Sequence, residues 1–186
     1  MRKDFGKKTW FYPMPVLIVG TYDEKGVPNA MNAAWGGVWD FNQIYLSLSP
    51  HKTTRNIDMK KAFTVSFADA KHVVEADYVG IVSGDEKPNK LDLAGLHTTK
   101  SKYVDAPIID EFPLTLECKL VSNDDGTVIG EIVNVSADES ILDKNGNVDP
   151  QKLDTISFDP INNAYIKLGE KVGNAFKDGL KLKESL

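Results

Sequence analysis

The stretch Leu114-Thr-Leu-Glu-Cys-Lys-Leu120 decides the fold class, because every second residue in it is apolar. This alternation is typical of a β-strand with one face against a core, and it places Cys118 on the inward face. Asn123-Asp-Asp-Gly126 follows as a turn signal, and a second β-rich run extends over residues 128–135. The sequence therefore predicts an antiparallel hairpin in this region.

Short β-rich runs separated by turn signals recur along the rest of the chain. Asp23-Glu-Lys-Gly26 and Asp143-Lys-Asn-Gly146 are typical hairpin turns. The further strands are expected at residues 16–22, from 27 onward, 43–49, 62–67, 156–158 and 165–167. The helices are expected at about 50–61, at 72–82 and from Glu170, with a polar loop over 83–92. Six or seven strands with few helices predict a mainly β (α+β) fold, an antiparallel barrel or sandwich with peripheral helices.

The composition is that of an ordinary globular protein, with 41% hydrophobic and 26% charged residues in a chain of 186. We expect a single domain over residues 1–186, because this length buries a sizeable core and no segment is typical of a linker. The net charge is −5, the basic residues are scattered and the apolar runs are short. We therefore expect no nucleic acid and no membrane as partners, and a cytoplasmic protein.

Residues that carry common catalytic chemistry are sparse. The three histidines lie on different predicted elements without carboxylates at metal-ligand spacing, so no metal site is predicted. The sequence has no Gly-x-Ser-x-Gly motif and no Walker loop, which removes the usual hydrolases and NTPases. Cys118 is the single cysteine, and we interpret it as a buried small hydrophobe rather than a nucleophile.

The strongest binding signal is the strand that runs into a helix start at residues 44–57. Ile44, Leu46 and Leu48 are predicted to face the core, and Ser49-Pro50 is predicted to be the N-cap and first helical residue. The residues that follow are donors, namely Lys52, Thr53, Thr54 and Arg55. A helix start with these donors can bind phosphate, although a capped surface helix with solvated basic residues explains them equally well.

A second unusual segment is Asn29-Ala-Met-Asn-Ala-Ala-Trp-Gly-Gly37, in which small residues and two amides interrupt a strand. Small side chains allow a flat ligand to approach the backbone, whose polar groups then contact the ring edge. A bulged strand packed against a helix is the alternative. The position of the segment one hairpin away from the helix start favours a ligand.

Taken in order, eight motifs make the chain similar to the flavin reductase-like family of FMN-binding split barrels, and most similar to its flavoredoxin branch. The motifs are Tyr12-Pro-Met-Pro-Val-Leu-Ile-Val-Gly20, Pro28-Asn-Ala-Met-Asn-Ala-Ala-Trp-Gly-Gly37, Ala62-Phe-Thr-Val65, Glu75-Ala-Asp-Tyr78, Leu93-Ala-Gly-Leu96, Glu111-Phe-Pro-Leu-Thr-Leu-Glu-Cys118, Gly130-Glu-Ile132 and Gly173-Asn-Ala-Phe176. The resemblance implies a Greek-key split β-barrel, a homodimer, and FMN at or near the subunit interface.

The resemblance also implies where FMN binds. Residues 32–34 would lie along the isoalloxazine, residues 47–49 near the ring or ribityl chain, and the helix start at the phosphate. A loop lysine would add a second charge at the phosphate, either Lys87 or Lys90, with Lys90 favoured because it directly precedes a helix. The implied cofactor-binding residues are Asn32, Ala33, Ala34, Trp35, Ser47, Leu48, Ser49, Pro50, Lys52, Thr53, Thr54, Asn56 and Lys90.

The function implied by the resemblance is transfer of electrons between NAD(P)H or a redox protein and FMN, as in an NAD(P)H-dependent FMN reductase. Two alternatives remain open: a flavoredoxin-like electron carrier without nicotinamide oxidation, and a flavin-binding module without catalysis. The cofactor performs the redox chemistry in such proteins, so an acid–base dyad is not required. No catalytic side chain is predicted.

Overall fold

Twelve strands and five α-helices make up the fold in the computed structural model, which describes residues 1–183. The strands are β1 Met14–Pro15, β2 Leu17–Tyr22, β3 Pro28–Ala33, β4 Gly36–Asp40, β5 Gln43–Ser47, β6 Ala62–Phe67, β7 Thr98–Lys100, β8 Pro107–Ile109, β9 Leu114–Asp124, β10 Thr127–Ala137, β11 Ile156–Asp159 and β12 Ala164–Lys167. The helices are α1 Lys52–Lys60, α2 Val73–Ile81, α3 Lys90–Ala94, α4 Pro150–Leu153 and α5 Leu180–Lys183, with a short 3₁₀ turn at Glu139–Ile141.

Seven of the strands form one curled antiparallel sheet in the order β3-β2-β6-β9-β10-β5-β4. A three-stranded sheet, β1-β11-β12, and a two-stranded sheet, β7-β8, complete the β-structure of the described residues. The prediction of a mainly β, antiparallel fold with few helices is confirmed. No helix within residues 1–183 combines the length and the apolar character needed to cross a bilayer.

Strand β2 is buried on both faces, which explains its continuous apolar run. Leu17 and Val19 belong to the core inside the curled sheet, together with Phe63 of β6. Ile18 belongs to a second core between the sheet and helices α2 and α3. Both clusters are inaccessible to water, so the sheet is the middle layer of the molecule.

The predicted alternation of strands β5 and β9 is confirmed. Ile44, Leu46 and Leu48 are buried, and Cys118 is fully buried. Burial, together with the charge of neighbouring Glu117, raises the pKa of Cys118 to about 12. Glu117 is also buried, on the opposite face of β9, where its carboxylate accepts hydrogen bonds from Ser101 and from Asn134.

Two predicted helix boundaries are wrong. Helix α1 begins at Lys52 and its N-cap is His51, not Ser49, because the hydroxyl of Thr54 accepts the His51 N–H at 2.8 Å and thereby replaces a serine cap. The helix predicted from Glu170 is absent over residues 170–179, and only the four-residue α5 forms. Glycines interrupt this segment and every one of its described residues is exposed, so packing does not stabilise a helix there. Residues 184–186 of the predicted helix lie outside the described residues.

Candidate functional site

Two adjoining cavities lie between the ends of strands β3 and β5 and helices α1 and α2. The first, termed the alanine cavity, has a volume of about 300 Å³ and is lined by Ala33 and Ala34. The second, termed the lysine cavity, has a volume of about 320 Å³ and is lined by Lys52 and Lys90. Four residues line both: Met31, His51, Gly80 and Ile81. The two cavities therefore adjoin each other, and together they are termed the cleft.

The alanine cavity is built where two strands of the sheet end and helix α2 crosses them. Residues 31–35 and 47–49 supply the strand side of the wall, and α2 contributes the opposite side. The amide of Asn32 donates to the Ala76 carbonyl at 3.0 Å and so ties β3 to α2. A Cβ on Gly80 would lie 2.9 Å from the Cβ of Asn32, so this close approach requires glycine.

One corner of the alanine cavity is polar. The Tyr165 hydroxyl donates to Oδ1 of Asp77 at 2.7 Å, and the amide of Asn32 lies 3.5 Å from the same hydroxyl. Burial, and then the hydrogen bond to Asp77, raises the pKa of Tyr165 to about 12. The phenol therefore stays protonated at physiological pH, with its proton directed to the carboxylate.

The lysine cavity contains two cations, each held by a partner in the protein. Lys90 is buried, and its Nζ donates to the carbonyls of Val79 and Val82 at 2.9 Å each, at the C-terminal end of α2. Lys52 Nζ lies 3.1 Å from Oδ2 of Asp23 and 3.5 Å from the Gly84 carbonyl. Burial, and secondarily the charge of Lys52, lowers the pKa of Lys90 from 10.5 to about 8.

These contacts leave donors for an anion. An ammonium has three protons, so Lys90 retains one beyond its two carbonyl bonds. Thr53 Oγ1 accepts from the amide of Asn29 at 2.8 Å, so its hydroxyl proton remains available. The first turn of α1 adds backbone N–H groups that have no partner within the helix. Two nearby cations and these donors fit a phosphate, whose charge would relieve the repulsion between the lysines.

Glycine at position 84 is required by the packing of the lysine cavity. A Cβ there would overlap Oδ1 of Asn29 and lie 3.2 Å from Cδ of Lys52. The Ser83-Gly84 loop can therefore approach both side chains only without a side chain of its own at residue 84.

Eleven of the thirteen residues in the predicted cofactor-binding set line this cleft. Those at the alanine cavity are Asn32, Ala33, Ala34, Trp35, Ser47, Leu48 and Ser49, and those at the lysine cavity are Pro50, Lys52, Thr53 and Lys90. Lys87 is exposed and does not line it, so the geometry favours Lys90 for the second charge.

Thr54 and Asn56 are the two predicted residues that the structure does not bring to the cleft. The hydroxyl of Thr54 is bonded to the backbone of His51, and the amide of Asn56 donates to Thr21 Oγ1 at 3.0 Å. Both side chains are buried in these contacts. These contacts give both residues a structural part, since they hold α1 in place.

Several residues of the cleft were not predicted from sequence: Asn29, His51, Asp77, Gly80, Ile81, Phe158 and Tyr165. Tyr165 and Asp77 are 88 residues apart and meet only through the packing of β12. Asn29 and His51 lie inside the two segments singled out from the sequence, residues 29–37 and 44–57, but neither was included in the predicted cofactor-binding set.

The fold and the cleft together define a class: antiparallel half-barrels with a cleft of small-residue and cationic walls at the end of the sheet. The chain belongs to the family described as flavin reductase like domain, whose model matches residues 9–152. This match confirms the predicted family.

Solved structures agree with this assignment. The chain is similar to the flavoredoxin of Desulfovibrio vulgaris (Miyazaki F), with 39% identity, a TM-score of 0.92, and coverage of 96% of this chain and 100% of that one. It is also similar to the flavoredoxin from Methanosarcina acetivorans, with 30% identity, a TM-score of 0.86, and coverage of 98% and 100%. The predicted split-barrel fold and the likeness to flavoredoxins are thereby confirmed.

Among curated proteins, the chain is similar to one from Aquifex aeolicus (strain VF5), with 28% identity over 155 residues that cover 75% of this chain and 77% of that one. It is also similar to the protein YwrF of Bacillus subtilis (strain 168), with 27% identity over 179 residues and coverage of 86% and 85%.

Proposed function

We propose that the chain binds FMN, with the phosphate in the lysine cavity and the isoalloxazine in the alanine cavity, and moves electrons between this flavin and NAD(P)H or a redox protein. The observation that supports the proposal is that the two cavities adjoin each other and share four lining residues. A cationic compartment joined to one with small and apolar walls is complementary to a phosphate tethered to a planar ring.

The residues of the lysine cavity would hold the phosphate. Lys52 and Lys90 supply charge, and Thr53 supplies a hydroxyl proton beside the first turn of α1. Asp23 competes with the phosphate for Lys52, since the two side chains form an ion pair at 3.1 Å. Lys52 has three protons and two contacts, so it can also bind the anion, but the Asp23 carboxylate offsets part of its charge.

The residues of the alanine cavity would orient the ring and limit its contact with water. Bound flavin can accept a hydride or single electrons, so the protein need only position the flavin and tune its potential. Ala33 and Ala34 leave the strand backbone accessible, and Phe158 and Ile81 provide apolar wall. Tyr165 keeps its proton on the bond to Asp77, and its oxygen accepts the long hydrogen bond from the Asn32 amide at 3.5 Å.

The flavoredoxin neighbours favour a second candidate, an electron carrier that holds FMN tightly and does not oxidise nicotinamide. Both neighbours align with nearly the whole chain. A flavin-binding module without catalysis is a third candidate. In each case we propose that the chain works as a homodimer.

The test begins with the visible spectrum of the purified protein and of the protein mixed with FMN. We expect the absorbance of bound flavin. Anaerobic addition of NADH or NADPH then separates the candidates, because bleaching supports a reductase. Flavin that stays oxidised with nicotinamide but is reduced by a redox protein supports the carrier. A protein that neither contains nor takes up FMN would overturn all three candidates.

A further inference from the structure

Three polar side chains meet in one corner of the alanine cavity, where strands β3 and β12 face helix α2. They are Asn32, Asp77 and Tyr165, all partly buried, and together they are termed the polar corner. Asp77 lies on the same face of α2 as Gly80 and Ile81, which follow it by three and four residues and also line the cavity. The helix therefore presents a carboxylate to the cavity.

Every side-chain donor of the polar corner already has an acceptor within the protein. The Tyr165 hydroxyl donates to Oδ1 of Asp77 at 2.7 Å. The amide nitrogen of Asn32 donates to the Ala76 carbonyl at 3.0 Å and to the Tyr165 oxygen at 3.5 Å. The first of these two bonds fixes the orientation of the amide, because only its nitrogen can donate to a carbonyl.

The remaining oxygens of the polar corner have no such partners. Within residues 1–183, no N–H or O–H group donates to Oδ2 of Asp77 or to Oδ1 of Asn32. The described lining of the alanine cavity includes His51 but neither lysine nor arginine. The polar corner therefore presents acceptors and a carboxylate to a ligand, while its own donors are already used.

The cleft is thus divided by charge. Lys52 and Lys90 line the lysine cavity, whereas Asp77 lines the alanine cavity. A few polar groups in an otherwise apolar pocket fix the orientation of a ligand. A ligand that suits both ends of this cleft has an anionic group at one end and an N–H donor at the other. An acceptor at the second end would leave the carboxylate without compensation for its lost hydration.

We propose that the polar corner selects the ring edge that carries an N–H donor, with Asp77 as the specificity-determining residue and Tyr165 as its positioning residue. This inference rests on the proposed function, in which the ring is that of FMN. The oxidised isoalloxazine has a single N–H group, the imide of its pyrimidine end, and its other polar edge atoms are acceptors. Asp77 therefore accepts the imide N–H, which orients the pyrimidine end toward the polar corner.

Tyr165 has a separate part in this selection. Its hydroxyl bonds one oxygen of the Asp77 carboxylate and so leaves the other oxygen for the ligand. The same bond joins β12 to α2 and holds the β11–β12 hairpin, with Phe158, at the wall of the cavity. Loss of the hydroxyl should loosen the carboxylate without removing it. Tyr165→Phe is therefore expected to reduce the selectivity less than a substitution of Asp77 itself.

The test compares FMN with FMN methylated at the imide nitrogen, each titrated by quenching of flavin fluorescence. The parent protein should bind FMN about tenfold or more tightly, because methylation removes a hydrogen bond to a charged acceptor. Asp77→Asn keeps the shape of the side chain but replaces one acceptor oxygen by an amide donor, so the ratio of the two Kd values should fall close to one. The ratio is the readout, because structural damage alone lowers both affinities alike.

The matched control is Glu75→Gln, which removes an equal charge from the same helix at a residue that lines neither cavity. This variant should keep the ratio of the parent protein. A change in the ratio as large as that of Asp77→Asn would overturn the proposal, since it would trace the effect to the net charge of α2.

Two further results would overturn the proposal. One is equal affinity of the parent protein for the two flavins, a comparison that needs no variant and so does not depend on the folding of one. The other is an Asp77→Asn variant that keeps the parent ratio, which would show that shape alone excludes the methyl group. Tight binding of FMN with equal affinities refutes only the role of the polar corner, whereas a protein that binds neither flavin refutes the proposed function as well.

Discussion

Replacement of Lys52 by alanine tests the assignment of the lysine cavity to a phosphate. Lys52 Nζ is held between Asp23 and the Gly84 carbonyl. The substitution removes one of the two cations in the cavity without deleting a core side chain. It should therefore weaken the binding of FMN, which carries a phosphate. The affinity for riboflavin, which lacks a phosphate, should stay nearly unchanged.

The expected magnitude follows from the type of contact. A hydrogen bond to a charged group is worth about 1.5–3 kcal/mol, and about 1.4 kcal/mol corresponds to a tenfold change in Kd. The loss for FMN should thus be roughly 10- to 150-fold. The lower half of this range is expected, because the Asp23 carboxylate, 3.1 Å from Lys52 Nζ, already offsets part of the lysine charge.

The assay is quenching of flavin fluorescence by apoprotein at fixed ionic strength, with FMN and riboflavin titrated in parallel. Lys87→Ala is the matched control, since Lys87 is an exposed lysine of the adjacent loop that does not line the cavity. Equal losses of affinity for FMN and for riboflavin with Lys52→Ala would refute the assignment. If Lys87→Ala lowers the affinity for FMN as much as Lys52→Ala does, the effect is one of net charge.

Three further predictions concern neighbouring groups. Because the pKa of Lys90 is about 8, its charge is lost as the pH rises through that value, so FMN affinity should fall between pH 7 and 9 while riboflavin affinity stays flat. Gly84→Ala should displace Asn29 and lower both FMN affinity and the melting temperature, and unchanged values in calorimetry would contradict the overlap at Asn29. Tyr165→Phe leaves the Asp77 carboxylate without its donor, so the two-electron potential of bound FMN should become more negative. An unchanged potential in spectroelectrochemistry would contradict a role for this pair.

The strands could be predicted from sequence because their signals are local. Alternation at Ile44, Leu46 and Leu48 matches their burial, and Gly26 adopts the positive φ of a turn as expected. Strand β4 was not predicted, because Gly36 and Gly37 have low β-propensity. Glycine is required at position 36 because a Cβ there would lie 2.8 Å from the Leu46 side chain. This constraint arises only when the strands are paired.

The helix predicted from Glu170 failed for a physical reason of another kind. A row of apolar residues four apart is a helix signal in a chain that supplies the packing surface itself. Here Val172 and Phe176 are fully exposed among the described residues, so no such surface stabilises a helix, and the positive φ at Phe176 ends any local helix.

The cleft could be predicted only in part, because some of its features are local in sequence and others arise from tertiary structure. The helix start and the small-residue strand are local features, whereas the contacts of the charged groups in the lysine cavity depend on tertiary structure. The C-terminal end of α2 directs the carbonyls of Val79 and Val82 toward this cavity, and on its own that end would repel an anion. Lys90, placed by a separate helix, bonds both carbonyls and keeps a third proton. The lysine thus converts a negative helix end into a positive wall opposite the start of α1, so that two helices of opposite polarity can border one phosphate site.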